Sequence, residues 1–266
     1  MIFETHAHYD DDRFSADQSG LLSSKLESAG IVKIMNVAAD VRSVDTTNEL
    51  SLKYDNVYAA LGIHPSDIEG LDEADMEHIR KLAEGNKKVR AIGETGLDYH
   101  YDGYDRKEQE KWFVRQIKLA KEMSLPVIVH SRDAAADTMR IIREYYEADR
   151  AEINGVIHCF SYSAEEALRY TELGFMIGVG GVVTYRNGRK LKEAVEKIPL
   201  ERIVLETDSP YLAPEPHRGE RNSSLNLPYI VKAVSDIKGI SIEETERITY
   251  ENATRLYRTD QYGIPG

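Results

Sequence analysis

Cysteine is almost missing from this chain. Cys159 is the single one in 266 residues, so no disulfide framework exists and a reducing, cytoplasmic setting is expected. No apolar run approaches about 20 residues, which excludes a membrane-spanning helix of ordinary length. The N-terminus lacks a basic segment followed by an apolar stretch, so no signal peptide is expected. Positive charge is in deficit: 34 Lys and Arg against 46 Asp and Glu leave a net charge of −12. Such a balance argues against a surface that coats nucleic acid broadly, so any polyanionic substrate must be held locally. No glycine-rich G-x-G-x-x-G follows the first apolar run, which weighs against a dinucleotide-binding fold.

What is present is a regular alternation. Short β-branched or apolar runs occur at Ile2–His6, Ile31–Val37, Val57–Gly62, Val89–Gly93, Val127–His130, Val156–Cys159, Phe175–Val179 and Ile203–Thr207. Between them lie stretches with apolar residues at helical spacing, among them Gly20–Ala29, Asp72–Glu84, Arg106–Met123, Asp133–Glu147, Ala164–Leu173 and Gly188–Lys197. Asp72, Asp133 and Ser163 stand where helix N-caps belong. A strand-to-strand period of roughly thirty residues is that of a βαβ unit. Eight such units predict a single-domain (β/α)₈ barrel over residues 1–266, closed by helices Leu227–Lys238 and Ser241–Tyr257. A hydrophobic content of 41% suffices for its core.

Barrels of this kind carry their chemistry at the C-terminal ends of the strands. Five of the eight histidines, His6, His8, His64, His130 and His158, fall at or just past those ends. In an extended strand His6 and His8 project to one face, with Glu4 below them. Glu94 and Asp208 end the fourth and eighth strands. Four imidazoles (His6, His8, His130, His158) with two carboxylates exceed what one metal with open positions needs. They suit two divalent cations, with Glu94 able to bridge through its two oxygens. Such a site activates a water and neutralises charge developing on the substrate. Asp208 is the natural acceptor of that water's proton.

The motifs Thr5-His6-Ala7-His8, Gly62-Ile63-His64-Pro65, Gly93-Glu94-Thr95-Gly96-Leu97-Asp98, Pro126-Val127-Ile128-Val129-His130-Ser131-Arg132, Gly155-Val156-Ile157-His158-Cys159-Phe160 and Leu205-Glu206-Thr207-Asp208-Ser209-Pro210 resemble those of the TatD family of metal-dependent deoxyribonucleases, in that family's order. The resemblance spans nearly the whole chain. It implies His6, His8, Glu94, His130, His158 and Asp208 as ligands, and hydrolysis of DNA phosphodiesters from the 3′ end with Mg²⁺ or another divalent ion. Two positions depart from the pattern: Glu4 where the family usually has Asp, and Ser66 where many members have a second His. Imidazole-rich ligation by itself favours Zn²⁺, Mn²⁺ or Ni²⁺ over Mg²⁺. The competing chemistry is an amidohydrolase or esterase acting on an acyl bond, for instance an aminoacyl-tRNA ester.

Other residues carry two readings each. His64 either contacts substrate or is a turn residue fixed by Pro65. Arg132 and the loop after strand eight, with His217, Arg218, Arg221 and Asn222, offer donors for phosphate oxygens; otherwise that loop is an ordinary solvated one. Glu206, sharing a face with Asp208, is expected to hold a metal-bound imidazole. Asp98 and Tyr99 either line the site or make a turn. Cys159 is expected to face away from His158, under the helices, and Trp112 to pack in the core. Tyr101, Tyr104 and Tyr185 are candidates for stacking on bases.

Overall fold

The computed structural model describes residues 1–101, 103–146 and 153–259. Its strands are β1 (Ile2–Ala7), β2 (Ile31–Val37), β3 (Val57–Leu61), β4 (Val89–Asp98), β5 (Val127–Arg132), β6 (Gly155–Ile157), β7 (Phe175–Val179) and β8 (Ile203–Leu205). All are parallel and paired in sequence order. Helices intervene: α1 (18–28, π-helical over Leu21–Lys25), α2 (Val41–Lys53), α3 (Glu73–Gly85), α4 (Arg106–Glu122), α5 (Ala135–Tyr145), α6 (Ala164–Glu172) and α7 (Arg189–Lys197). The expected (β/α)₈ barrel is the fold, and α8 (Leu227–Lys238) and α9 (Ile242–Tyr257) follow it. No helix among the described residues is long and apolar enough to cross a membrane.

Two apolar layers hold the barrel. The larger lies between sheet and helices and includes Ile31, Ile34, Phe113, Ile117, Phe175 and Ile230. The smaller joins Phe3, Met35, Ala91, Ile128, Val156, Met176 and Val204 of the strands to Ala253, Leu256 and Tyr257 of α9. Trp112 is buried in the outer layer, as expected.

Closure between β1 and β8 relies on few backbone bonds: His8 N to Ser209 O at 2.8 Å and Asp208 N to His6 O at 3.0 Å. Side chains supply the rest of the seam. Glu4 Oε1 accepts the amides of His6 (3.1 Å) and Thr207 (2.9 Å), and its Oε2 accepts the Thr207 hydroxyl at 2.6 Å. The simple alternation that puts Glu4 beneath the imidazoles fails because the register slips between Glu4 and Ala7; the carboxylate serves the seam instead. Burial pushes Glu4 up to about 7 in spite of these donors.

Element ends differ from the sequence reading where backbone conformation overrides pattern. β4 continues five residues past Gly93 because Thr95–Asp98 pair with Val129–Arg132 of β5. β6 and β8 stop early; Cys159 (φ 45°) and Asp208 (φ 56°), just beyond, are left-handed. Cys159 therefore leaves the alternation that placed it under the helices, and its amide donates to Glu206 Oε1 at 2.5 Å. Asp72 and Ser163 cap α3 and α6 by reciprocal bonds. Asp133 does not cap α5: it is left-handed (φ 54°), and its carboxylate bonds His100 Nδ1 at 2.9 Å. Glu147, the expected end of that helix, lies outside the described residues.

Candidate metal centre

The six side chains picked from the strand ends converge. Glu94, buried within β4 just past Gly93, is their hub. Its Oε1 lies 2.9 Å from both His130 Nδ1 and His158 Nε2, and its Oε2 lies 3.3 Å from His6 Nε2 and 3.9 Å from His8 Nε2. Asp208 Oδ1 faces the second pair, 3.4 Å from His8 Nε2 and 3.8 Å from His6 Nε2. His6 and His8 bring their Nε2 atoms within 3.2 Å of each other. His64 joins from β3, its Nε2 3.7 Å from Glu94 Oε1.

Behind the donors stand groups that fix ring orientation. His8 Nδ1 contacts Val37 O at 2.7 Å. His130 Nε2 lies 3.0 Å from Asp98 Oδ2. His158 Nδ1 lies 3.5 Å from Glu206 Oε1, and the His158 ring stacks on His6 with centroids 3.8 Å apart. Glu206 thus faces His158 without closing the expected hydrogen bond to it, and Asp98 lines the site rather than making a turn alone. Asp98 is itself clamped by Gln109 of α4, whose amide accepts from Asp98 N (2.9 Å) and donates to Asp98 O (3.0 Å). Two helical turns on, Gln116 clamps Ile63, next to His64, in the same way, at 2.8 and 3.0 Å. Both glutamines are buried. Their spacing of seven on α4 was the available signal, and sequence reasoning passed over it.

The electrostatics are those of a charged cluster in a buried place. Burial alone raises Glu94, but His158, His64, His6 and the His130 bond outweigh it and hold the carboxyl well below its usual range. Asp208 is lowered likewise, burial being overcome by the His8 bond and the neighbouring imidazoles. His8 is pushed up to about 9: burial opposes the shift, and Asp208 and Glu94 impose it. His6 is lowered, first by burial and then by His158. Burial and His130 push His64 down to about 3, so its ring is neutral at ordinary pH.

The residues fit divalent cations. Imidazole nitrogens only 3.2 Å apart, facing two ionised carboxylates, form a set of converging lone pairs that a cation satisfies. His6–His8–Asp208 and His64–Glu94–His130 each bring three ligand atoms within 4.8 Å of one another. The buried Nδ1 atoms of His6 and His158 and Oε2 of Glu206 find no hydrogen-bond partner.

The outer residues divide. Arg132 is exposed at the end of β5, its guanidinium 5.3 Å from the Tyr101 ring. Arg218 lies 4.5 Å over the Tyr185 ring and 4.0 Å from Glu215, with half its side chain in solvent. His217 spends both ring nitrogens nearby, on Glu220 (3.0 Å) and the Tyr229 hydroxyl (3.2 Å). Arg221 and Asn222, expected as phosphate donors, are engaged within the fold. Arg221 forks onto Asp17 at 2.7 and 2.8 Å and also donates to Arg13 O. Asn222 is wholly buried and donates to Thr207 O (2.9 Å) and Tyr211 O (2.7 Å), so it shapes the loop from within. Tyr185 is buried too, its hydroxyl on Ala213 O, and offers no stacking face, whereas Tyr101 and Tyr104 are exposed.

A parallel barrel whose strand tops gather imidazoles and carboxylates defines a metal-dependent hydrolase. The chain belongs to the TatD-related DNase family, whose pattern it matches over residues 3–258. It is 39% identical to a metal-dependent hydrolase of Bacillus subtilis (strain 168), YabD, over 97% of this chain and 99% of that protein. It is 32% identical to a Dickeya dadantii (strain 3937) protein named 3′-5′ ssDNA/RNA exonuclease TatD, over 98% of this chain and all of that one. The crystal structure of the TatD homologue YjjV from Escherichia coli K12 superposes with a TM-score of 0.90 at 31% identity, covering 97% of this chain and 98% of that one.

Proposed function

We propose that this protein hydrolyses phosphodiester bonds of single-stranded DNA from the 3′ end, using two divalent cations. The observation that carries this reading is the position of Glu94. One carboxylate places one oxygen against His130 and His158 and the other against His6 and His8, as a ligand shared by two cations does. His6, His8 and Asp208 would hold one cation, and His130 and His158 with Glu94 the other. Divalent ions there lower the pKa of a water and neutralise charge on the phosphoryl oxygens.

The chain's own groups do the remainder. Asp208 is ionised at neutral pH and takes the proton of the attacking water. The water oxygen bonds to phosphorus, the bond from phosphorus to O3′ breaks, and the proton passes to that oxygen. The products are a nucleoside 5′-monophosphate and a chain one nucleotide shorter. His64, neutral and beside Glu94, accepts the Ser66 amide at Nδ1 and donates its Nε2 proton to a phosphoryl oxygen. Arg132 and Arg218 supply local positive charge that the acidic whole lacks. The Dickeya dadantii relative supports a nucleic-acid substrate.

The test compares a 3′-labelled single-stranded oligonucleotide with an aryl ester, each with Mg²⁺, Mn²⁺ or Zn²⁺. Mononucleotide release that stops with chelator and in Asp208→Asn is the expected result. Chelator-sensitive ester cleavage with intact DNA transfers the site to acyl chemistry, such as an aminoacyl-tRNA ester.

A further inference from the structure

Tyr211 stands partly in solvent beside the metal centre. It is 48% exposed, three residues past Asp208. Its backbone is pinned on both sides: its amide donates to Asp208 O at 2.8 Å and its carbonyl accepts from Asn222 at 2.7 Å. The ring lies edge-on to His8, with centroids 6.3 Å apart. Arg13, from the turn after β1, places its guanidinium 4.2 Å from the ring centroid. That guanidinium is held in turn by a two-pronged bond to Asp11, at 2.9 and 2.7 Å, and the Arg13 carbonyl accepts from Arg221.

The result is an aromatic ring fixed in direction, open to solvent over half its surface, and one ring away from a metal ligand. A ring serving only the fold is usually buried, as Tyr185 is under Arg218. The ring's own contacts are Arg13 over one side and the edge of His8. A π-face at this place suits a planar heterocycle attached next to a phosphodiester.

We infer that Tyr211, braced by Arg13, is the platform on which a nucleobase flanking the scissile phosphate stacks. Sequence tolerance follows, because every base has a π-face. The inference rests on the phosphodiester reading and adds to it a means of seating the substrate's end. Tyr211 acts on substrate affinity and leaves the bond-breaking step to the metal centre.

The experiment uses two oligothymidylates. One has a natural 3′ end; in the other the last two nucleosides are abasic tetrahydrofuran residues. With the natural end, Tyr211→Ala raises KM roughly ten- to hundredfold at nearly constant kcat. Tyr211→Phe and Tyr211→Trp, which keep a ring, stay within about threefold of the parent. With the abasic end the parent protein already shows the high KM, and Tyr211→Ala adds nothing. Equal KM values for parent and Tyr211→Ala on natural DNA overturn the inference while the nuclease reading stands. So does an equal loss on both substrates, which marks a structural role. If the parent protein leaves both oligonucleotides intact, the nuclease reading falls and this one with it.

Discussion

The Glu206 carboxylate lies 3.5 Å from His158 Nδ1, on the side of the ring away from Glu94. It also accepts the Cys159 amide at 2.5 Å, and Gly178 makes room for it, since a Cβ there would overlap the carboxylate. At 3.5 Å this is an ionic approach rather than a hydrogen bond; a proton on Nδ1 would face it and leave Nε2 free toward Glu94. Removing such a partner typically weakens metal binding 10- to 100-fold. Glu206→Ala should therefore lower Mn²⁺ or Zn²⁺ affinity by about that factor in calorimetric titration. Glu206→Gln, whose amide oxygen still accepts the Cys159 bond, should lose less. Equal affinities in all three proteins would show that the contact has no bearing on ligation.

Gln109 and Gln116 make a second support. Each closes two bonds to the backbone of one strand-end residue, Asp98 and Ile63. An alanine at either place leaves a buried N–H and C=O without partners, which costs about 1–3 kcal/mol. Gln109→Ala should show that loss in urea denaturation. It should also weaken cation binding, because Asp98 positions His130 at 3.0 Å. Gln116→Ala should lose comparable stability, with the effect on hydrolysis appearing through His64. A fall in stability with unchanged cation affinity in Gln109→Ala would separate Asp98 from the metal centre.

How much of this was legible beforehand follows from the chemistry. Imidazoles and carboxylates are common cation ligands, and a barrel gathers its strand ends over one mouth, so the convergence of His6, His8, Glu94, His130, His158 and Asp208 could be read from type and position. The supports could not be read so directly. Gln109 reaches Asp98 only because β4 extends to pair with β5 through Asp98 and Arg132, and that pairing is invisible in apolar runs. The Asp133 cap failed for a similar reason. A left-handed residue looks like any Asp in sequence, and here it turns its carboxylate to His100. Arg221 and Asn222 looked like phosphate donors because a loop sequence does not disclose that Asp17, 204 residues away, is waiting for the guanidinium.

Gly96 illustrates how narrow the tolerances at the strand ends are. It has φ 146°, and a Cβ added to it would overlap the backbone oxygen of His130. Gly96↔His130 is also a register pair of β4 and β5. Gly96→Ala must either separate the strands or shift His130 off Glu94. A loss of about 3 kcal/mol or more is expected, read as a lowered thermal midpoint together with reduced cation affinity. An unchanged midpoint would mean that the strands part there at little cost.

The loop after β8 gives the sharpest contrast between neighbours. Arg218 is half exposed, stacked on the Tyr185 ring and 4.0 Å from Glu215, so its charge is available to a phosphate. Arg218→Ala should raise KM for DNA several-fold and reduce the salt dependence of binding by about one counterion. It should leave the unfolding midpoint nearly unchanged. Asn222→Ala should instead lower stability by about 2 kcal/mol, because it strands the buried carbonyl of Thr207 and the part-buried one of Tyr211, and should leave the salt slope at the parent's value. Arg221→Ala should cost under about 1 kcal/mol, since its pair with Asp17 is more than a third exposed. It should leave the salt slope at the parent's value. If Arg221→Ala instead flattened that slope as Arg218→Ala does, the fork on Asp17 would have to open when DNA binds, and Arg221 would rejoin the phosphate donors.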